Sequence, residues 1–152
     1  MKKIMTLCII RKEGKVLLGM KKRGFGMGRW NGFGGKVNTN ETILEAAKRE
    51  LKEEADIEAT DLSEMGVVEF EFKGNPEILE VHIFKGTKYT GEPKEGEEMR
   101  PEWFNIEDIP FDIMWPDDRY WMPLVLDDKK FEGRVVFGDK GEIVDCHLNE
   151  IN

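Results

Sequence analysis

Residues 41–55 constrain this chain more than any other stretch, because they put acids where a helix should be apolar. On a wheel of about 100° per residue with Glu50 at zero, Glu54 falls near +40° and Glu53 near −60°. Ile43, Leu44, Ala46, Ala47 and Leu51 span about −40° to +120° of the same wheel, so Glu50 and Glu54 lie inside the stripe that faces a core. Glu45, Lys48, Arg49 and Lys52 hold the solvated side. Carboxylates crowded at a buried edge repel one another and lose hydration, so they need compensating charge. A hard divalent cation with oxygen ligands supplies it, usually by joining one or two carboxylates to substrate phosphates. The alternative, an acidic helix balanced by Lys48 and Lys52, is disfavoured because those lysines point the other way. Thr39 or Asn40 is expected to cap the helix.

The flanking sequence supplies a sheet. Apolar runs at 5–10 and 15–20 surround Lys12-Glu13-Gly14, which predicts a hairpin. Residues 67–73 alternate, with Val68, Phe70 and Phe72 on one face and Glu69, Glu71 and Lys73 on the other. Further strands are expected at 78–84 and 102–105, a second helix at 119–126 behind Trp115-Pro116-Asp117-Asp118, and a closing hairpin of 131–137 with 142–148. Strands flanking helices without strict alternation indicate an α/β fold with a mixed sheet covered by helices. A length of 152 residues fits one domain, 1–152.

Charge excludes some functions. With 36% charged residues and a net charge of −8, the chain is unsuited to wrapping nucleic acid by its backbone. Yet residues 14–40 contain no acid, while Lys15, Lys21, Lys22, Arg23, Arg29 and Lys36 are basic. A basic segment beside an acidic helix suits a polyanion held partly by side chains and partly by bridging cations; a solvated basic loop is the other reading. The apolar run at 4–10 is too short to span a membrane and no cleavage site follows it. Cys8 and Cys146 have no disulfide or metal spacing, and as reduced thiols they suit the cytoplasm.

One set of residues goes further. Gly35, five residues, Glu41, seven residues, then Arg49-Glu50-Leu51-Lys52-Glu53-Glu54-Ala55-Asp56-Ile57 resembles the Nudix box of the Nudix hydrolases, with Asp56 where that pattern ends on glycine. The position follows the helix, where a left-handed residue is common and Asp is better tolerated than most. The resemblance implies a Nudix-type α/β/α sandwich and metal-dependent cleavage between phosphates. It implies Mg²⁺ or Mn²⁺ held by Glu50, Glu53, Glu54 and Glu98 near the Gly34 carbonyl, with Arg49 orienting Glu53. Glu50 and Glu98 both remain candidates for the base that activates water.

Stretches 21–26, 28–37, 98–101 and 114–118 are similar to the subfamily that acts on oxidised purine nucleoside triphosphates, and the likeness covers nearly the whole chain. It implies hydrolysis of 8-oxo-dGTP and 2-hydroxy-dATP to monophosphate and pyrophosphate by a monomer with a small-molecule nucleotide as partner. Another preferred nucleotide, or a sensor without catalysis, are the alternatives. The substrate-binding residues that the likeness implies are Thr6, Lys21, Phe25, Asn31, Phe33, Gly34, Gly35, Lys36, Phe70, Phe72, Leu79, Trp115, Pro116, Asp117, Asp118 and Trp121. Their chemistry agrees. Trp115 offers a π-face and Asn31 both a donor and an acceptor. Asp117 and Asp118 are adjacent acids among aromatics, able to share a proton, though both could simply cap the second helix. Trp115 and Trp121 could be core, Phe70 and Phe72 sheet packing, and His82 is expected to pack within its strand. Leu79 stands where the subfamily has methionine, and Met27 lies in the glycine-rich loop.

Overall fold

The expected first hairpin turns on backbone handedness, with Glu13 and Gly14 at φ 46° and 79°, a left-handed pair that matches the twist of the joined strands. It links β1 (Lys2–Lys12) to β2 (Lys15–Lys21) in the computed structural model, which describes residues 2–151. Met1 and Asn152, the ends of the expected domain, lie outside that range. There follow β3 (Trp30–Asn31), α1 (Ile43–Ala55), β4 (Glu58–Ala59), β5 (Ser63–Phe72), β6 (Ile78–Gly86), β7 (Tyr89–Thr90) and β8 (Met99–Asn105). Then come α2 (Asp118–Leu126), β9 (Lys130–Phe137) and β10 (Ile143–Ile151). The two-residue strands β3, β4 and β7 have no counterpart among the expected elements, since so short a ladder carries no periodicity to read.

The main sheet runs β10-β9-β5-β6-β1-β2, with β8 along the outer edge of β2. It is mixed: β1 pairs β6, and β5 pairs β9, in parallel, while the other ladders are antiparallel. Strands β1 and β2 pair only from Ile10 to Lys12 and then splay. The opening is filled by β3 against β2 and by bridges from Phe33 to Cys8 and from Lys36 to Met5.

Alternation along the strands builds a core on each side. Cys8, Ile10, Leu17 and Phe84 pack with Ala47, Leu51 and Ala55 of α1. Their neighbours Ile9, Val16, Leu18 and Ile83 pack with Trp121, Met122 and Val125 of α2. This is the expected sandwich, one helix to each face.

The cap of α1 differs from expectation. Thr42 is the N-cap, with its hydroxyl accepting from the Glu45 N–H at 3.1 Å and the Glu45 carboxylate accepting from the Thr42 N–H at 2.8 Å. The Thr-x-x-Glu spacing satisfies two orphan amides reciprocally and outcompetes Thr39 and Asn40. Asn40 instead turns left-handed, at φ 73°. Asp56 ends the helix at φ 59°, ψ 34°, the expected left-handed stop, and its N–H bonds Lys52 O at 3.0 Å.

Candidate active site

The glycine-rich segment 32–37 brings β1 and α1 together. Thr6 N–H donates to Gly35 O at 2.8 Å, Cys8 N–H to Phe33 O at 2.6 Å, and Val37 N–H to Ile4 O at 2.9 Å. A Cβ on Gly34 would run into the Thr6 carbonyl, and one on Gly35 would stand 2.7 Å from the Glu50 carboxyl carbon. Glycine is therefore required at both places for close backbone approach. The Gly34 N–H donates to Glu54 Oε1 at 2.9 Å, tying the last turn of α1 to this segment.

The carboxylates fall as the wheel requires, with Glu50 and Glu54 half-buried and Glu53 exposed. Burial is the main force pushing the Glu54 carboxyl up to about 7; the charges of Glu50 and Glu98 add to it, and the Gly34 N–H and Lys21 oppose it. Arg49 does more than orient Glu53. Its guanidinium grips Glu41 twice, at 2.7 and 3.0 Å, donates to Glu50 at 2.8 Å, and reaches Glu53 at 3.3 Å. Glu98 receives Lys21 at 2.9 Å and Arg23 at 2.8 Å, and these two cations hold its carboxyl below the usual range.

Among the described residues no three His, Cys, Asp or Glu side chains close on one point. Glu50 and Glu53 turn toward Arg49, and Glu98 toward Lys21 and Arg23. The donors still fit a hard divalent cation in kind. All are oxygens, and Glu54 is a half-buried acid pressed by two like charges, the imbalance that a cation relieves.

Beside this cluster lies a cavity of about 330 Å³. Thr6, Lys21, Gly34, Gly35 and Glu54 line it, as do Asn31, Phe70, Phe72 and Leu79. Trp115, Asp117, Asp118 and Trp121 line it too, together with Phe25. Phe25 is 69% exposed, yet its ring stacks on Trp115 at 5.2 Å and meets Phe72 edge-on. It belongs to an arm, residues 24–28, in which Gly24, Gly26 and Gly28 all have positive φ. Three expected residues stand apart from the lining: Phe33 is fully buried in the core under α1, and Lys36 and Pro116 also lie outside it. Met5, Leu7, Val81, Met99 and Phe137 line the cavity without having been expected, because apolar strand residues read as core.

The acid pair does not cap α2. Neither carboxylate bonds a helix amide; Asp117 accepts from Trp121 Nε1 at 2.7 Å instead. Both acids are 2% exposed, and Asp117 Oδ1 and Asp118 Oδ2 have no protein partner. Burial raises both carboxyls above their usual range. Asp118 rises further, because the Asp117 charge adds to desolvation, whereas the Trp121 N–H favours ionised Asp117. The pressure toward the protonated form is thus greater on Asp118 than on Asp117. His82, as expected, packs within its strand, buried between Glu64 and Glu80.

Known proteins resemble this chain. The chain is 52% identical over 149 residues to the oxidized purine nucleoside triphosphate hydrolase of Danio rerio, covering 98% of this chain and 96% of that protein. It is 51% identical over 150 residues to the Mus musculus protein of the same name, covering 99% and 96%. A crystal structure of a MutT protein from Bacillus halodurans superposes with a TM-score of 0.87 over 97% of both chains at 27% identity. The NUDIX domain family matches residues 1–125, a span that contains α1, the glycine segment and the acid pair, and the chain belongs to that family as one of its hydrolases.

Proposed function

We propose that this enzyme hydrolyses oxidised purine nucleoside triphosphates, among them 8-oxo-dGTP and 2-hydroxy-dATP, to the monophosphate and pyrophosphate. The observation that carries the reading is the buried Asp117–Asp118 pair, each with one unpartnered oxygen, in the lining of an aromatic cavity that Glu54 also lines. Protonated Asp118 donates a hydrogen bond and ionised Asp117 accepts one, and the single proton can redistribute between them. 8-Oxoguanine and 2-hydroxyadenine display different donor and acceptor edges, and a pair with one movable proton answers both. Asn31 adds an amide to the same lining, and Phe70, Phe72 and Trp115 supply the aromatic surface against which the base packs. The names of the fish and mouse relatives support the substrate class.

Hydrolases of this family need a divalent cation. Here we infer Mg²⁺, with Mn²⁺ able to substitute, held by Glu50, Glu53, Glu54, Glu98 and the Gly34 carbonyl. When bound, the cation supplies charge neutralisation on the phosphates. Arg49 fixes Glu50 and Glu53 in place, and Lys21 and Lys36 attract the phosphate chain. Glu50 or Glu98 takes the proton of the attacking water. Residues 1–152 act as a single domain and as a monomer. No helix among the described residues is long and apolar enough to cross a membrane, and the reduced thiols Cys8 and Cys146 suit the cytoplasm.

Pyrophosphate release tests the proposal. With Mg²⁺, kcat/KM for 8-oxo-dGTP should exceed that for dGTP by about tenfold or more, the size of one well-placed hydrogen bond. Equal rates would move the substrate to another nucleotide, and tight binding without release would make the chain a sensor.

A further inference from the structure

Arg29 belongs to none of the roles assigned above. Its backbone is fixed where the 24–28 arm closes: the carbonyl accepts from Lys21 N–H at 3.0 Å, and the N–H donates to Gly26 O at 3.1 Å. Its guanidinium carbon lies 4.1 Å from the Trp115 ring centroid. Gly141, in the turn between β9 and β10, borders both groups, since a Cβ there would sit 3.7 Å from Arg29 Nη2 and 3.7 Å from the indole. Lys21, Lys22 and Arg23 are all tied to Glu95, Glu97 or Glu98. Among the described residues Arg29 has no such carboxylate, although its charge reaches both Asp117 and Asp118 and favours their ionised forms. The other groups facing the acids are the Cys146 thiol from β10, with Asp145 beside it, and the Trp121 N–H from α2.

An arginine held against an indole by stacking keeps its charge in place without a salt bridge to consume it. We propose that Arg29 is a specificity-determining positioning residue of the base pocket: stacked on Trp115 and tied to no carboxylate, it fixes the indole and lends its positive charge to the pocket that Asp117 and Asp118 line. The proposal rests on the base-pocket reading given under Proposed function. Without Arg29 the opposition to desolvation weakens at both acids, and they hold protons to higher pH. The pocket then presents two donors, and a base that requires an acceptor at that wall loses it. Binding suffers more than chemistry, because Arg29 touches neither the carboxylates of α1 nor Glu98.

Two variants separate stacking from charge. Arg29→Met keeps a long side chain against Trp115 without charge, and Arg29→Lys keeps charge without the planar group. The first arm needs no substrate: carboxyl ¹³C NMR of aspartate-labelled protein, with resonances assigned through Asp117→Asn and Asp118→Asn, gives the titration of the pair. In Arg29→Met the midpoints should rise by about half a pH unit or more, and in Arg29→Lys they should stay near wild type. The second arm compares steady-state kinetics on 8-oxo-dGTP and 2-hydroxy-dATP from pH 6 to 9. Arg29→Met should raise KM by about threefold or more on at least one substrate, with kcat changed less and the preference between the two altered. Unchanged midpoints in Arg29→Met overturn the charge role. Shifted midpoints with an unchanged substrate preference overturn the specificity role. If the wild type shows no preference for oxidised purines, the substrate reading fails instead, and the NMR arm still reports what Arg29 does to the acids.

Discussion

Glu54→Gln should make the metal-free protein more stable at pH 8 while removing its activity. The buried carboxyl is held at about 7 against an ordinary 4.5. At about 1.36 kcal/mol per pH unit, ionising it in the folded state costs about 3 kcal/mol, and partial exposure reduces that to about 2–3. The sign follows from proton counting. Below pH 4.5 both folded and unfolded chains hold the proton, and no penalty exists. Between 4.5 and about 7 the folded chain binds more protons than the unfolded one, so stability falls as pH rises, and above 7 the full penalty remains. Glutamine carries no charge, and its amide oxygen can still accept from the Gly34 N–H. For a chain of this size about 2–3 kcal/mol corresponds to a gain of about 4–12 °C in Tm. Thermal melts in EDTA at pH 8 and pH 5 check this: the variant should melt higher at pH 8, and the gap should close at pH 5. Turnover with Mg²⁺ should drop by about a hundredfold or more, since a neutral amide is a poor cation ligand. A variant that melts below wild type at both pH values would refute the electrostatic reasoning, and near-normal turnover would refute the metal role.

Three further substitutions probe the rest of the site. Asn31→Ala should raise KM for 8-oxo-dGTP through a loss of about 1–3 kcal/mol, with a smaller effect on melting; an unchanged KM makes Asn31 structural. Asp117→Asn should change the ratio of kcat/KM for 8-oxo-dGTP over 2-hydroxy-dATP by about tenfold, because an amide cannot exchange its proton, and equal losses on both substrates across pH 6–9 would count against proton sharing. Gly34→Ala drives a methyl into the Thr6 carbonyl and should cost about 2–4 kcal/mol of stability, read as a lowered urea midpoint; wild-type behaviour would show that the segment can move off β1.

The acidic face of α1 was legible because helical spacing is local, so Glu50 and Glu54 could be placed in the stripe without knowing what covers it. The cap was legible in principle, since Thr42 and Glu45 have the reciprocal spacing, and Thr39 and Asn40 drew attention only as good capping residues by type. Parallel pairing of β1 with β6 joins residues 76 apart, Lys2 with Ile78, and alternation does not encode it. For the same reason Met99 and Val81, which face the cavity, look like any other core residue in the sequence. Arg49 shows a second limit. Spacing indicates its partner Glu53 at one helical turn, but its two ties to Glu41 depend on how the chain enters the helix. The stacking of Arg29 on Trp115 joins two loops and leaves no trace in either alone.

The splay between β1 and β2 divides the molecule by time scale. Because Thr6 and Cys8 donate their amides to Gly35 and Phe33, the segment that carries Gly34 is a stave of the sheet, and it cannot swing without unzipping β1. Hydrogen exchange at those two amides will therefore track global unfolding, whereas the 24–28 arm, pinned at its base by the Lys21–Arg29 backbone pair and jointed by three left-handed glycines, is free to breathe far faster. The joints of the arm can thus flex while the Gly34 segment, held to β1 and to Glu54, stays where it is.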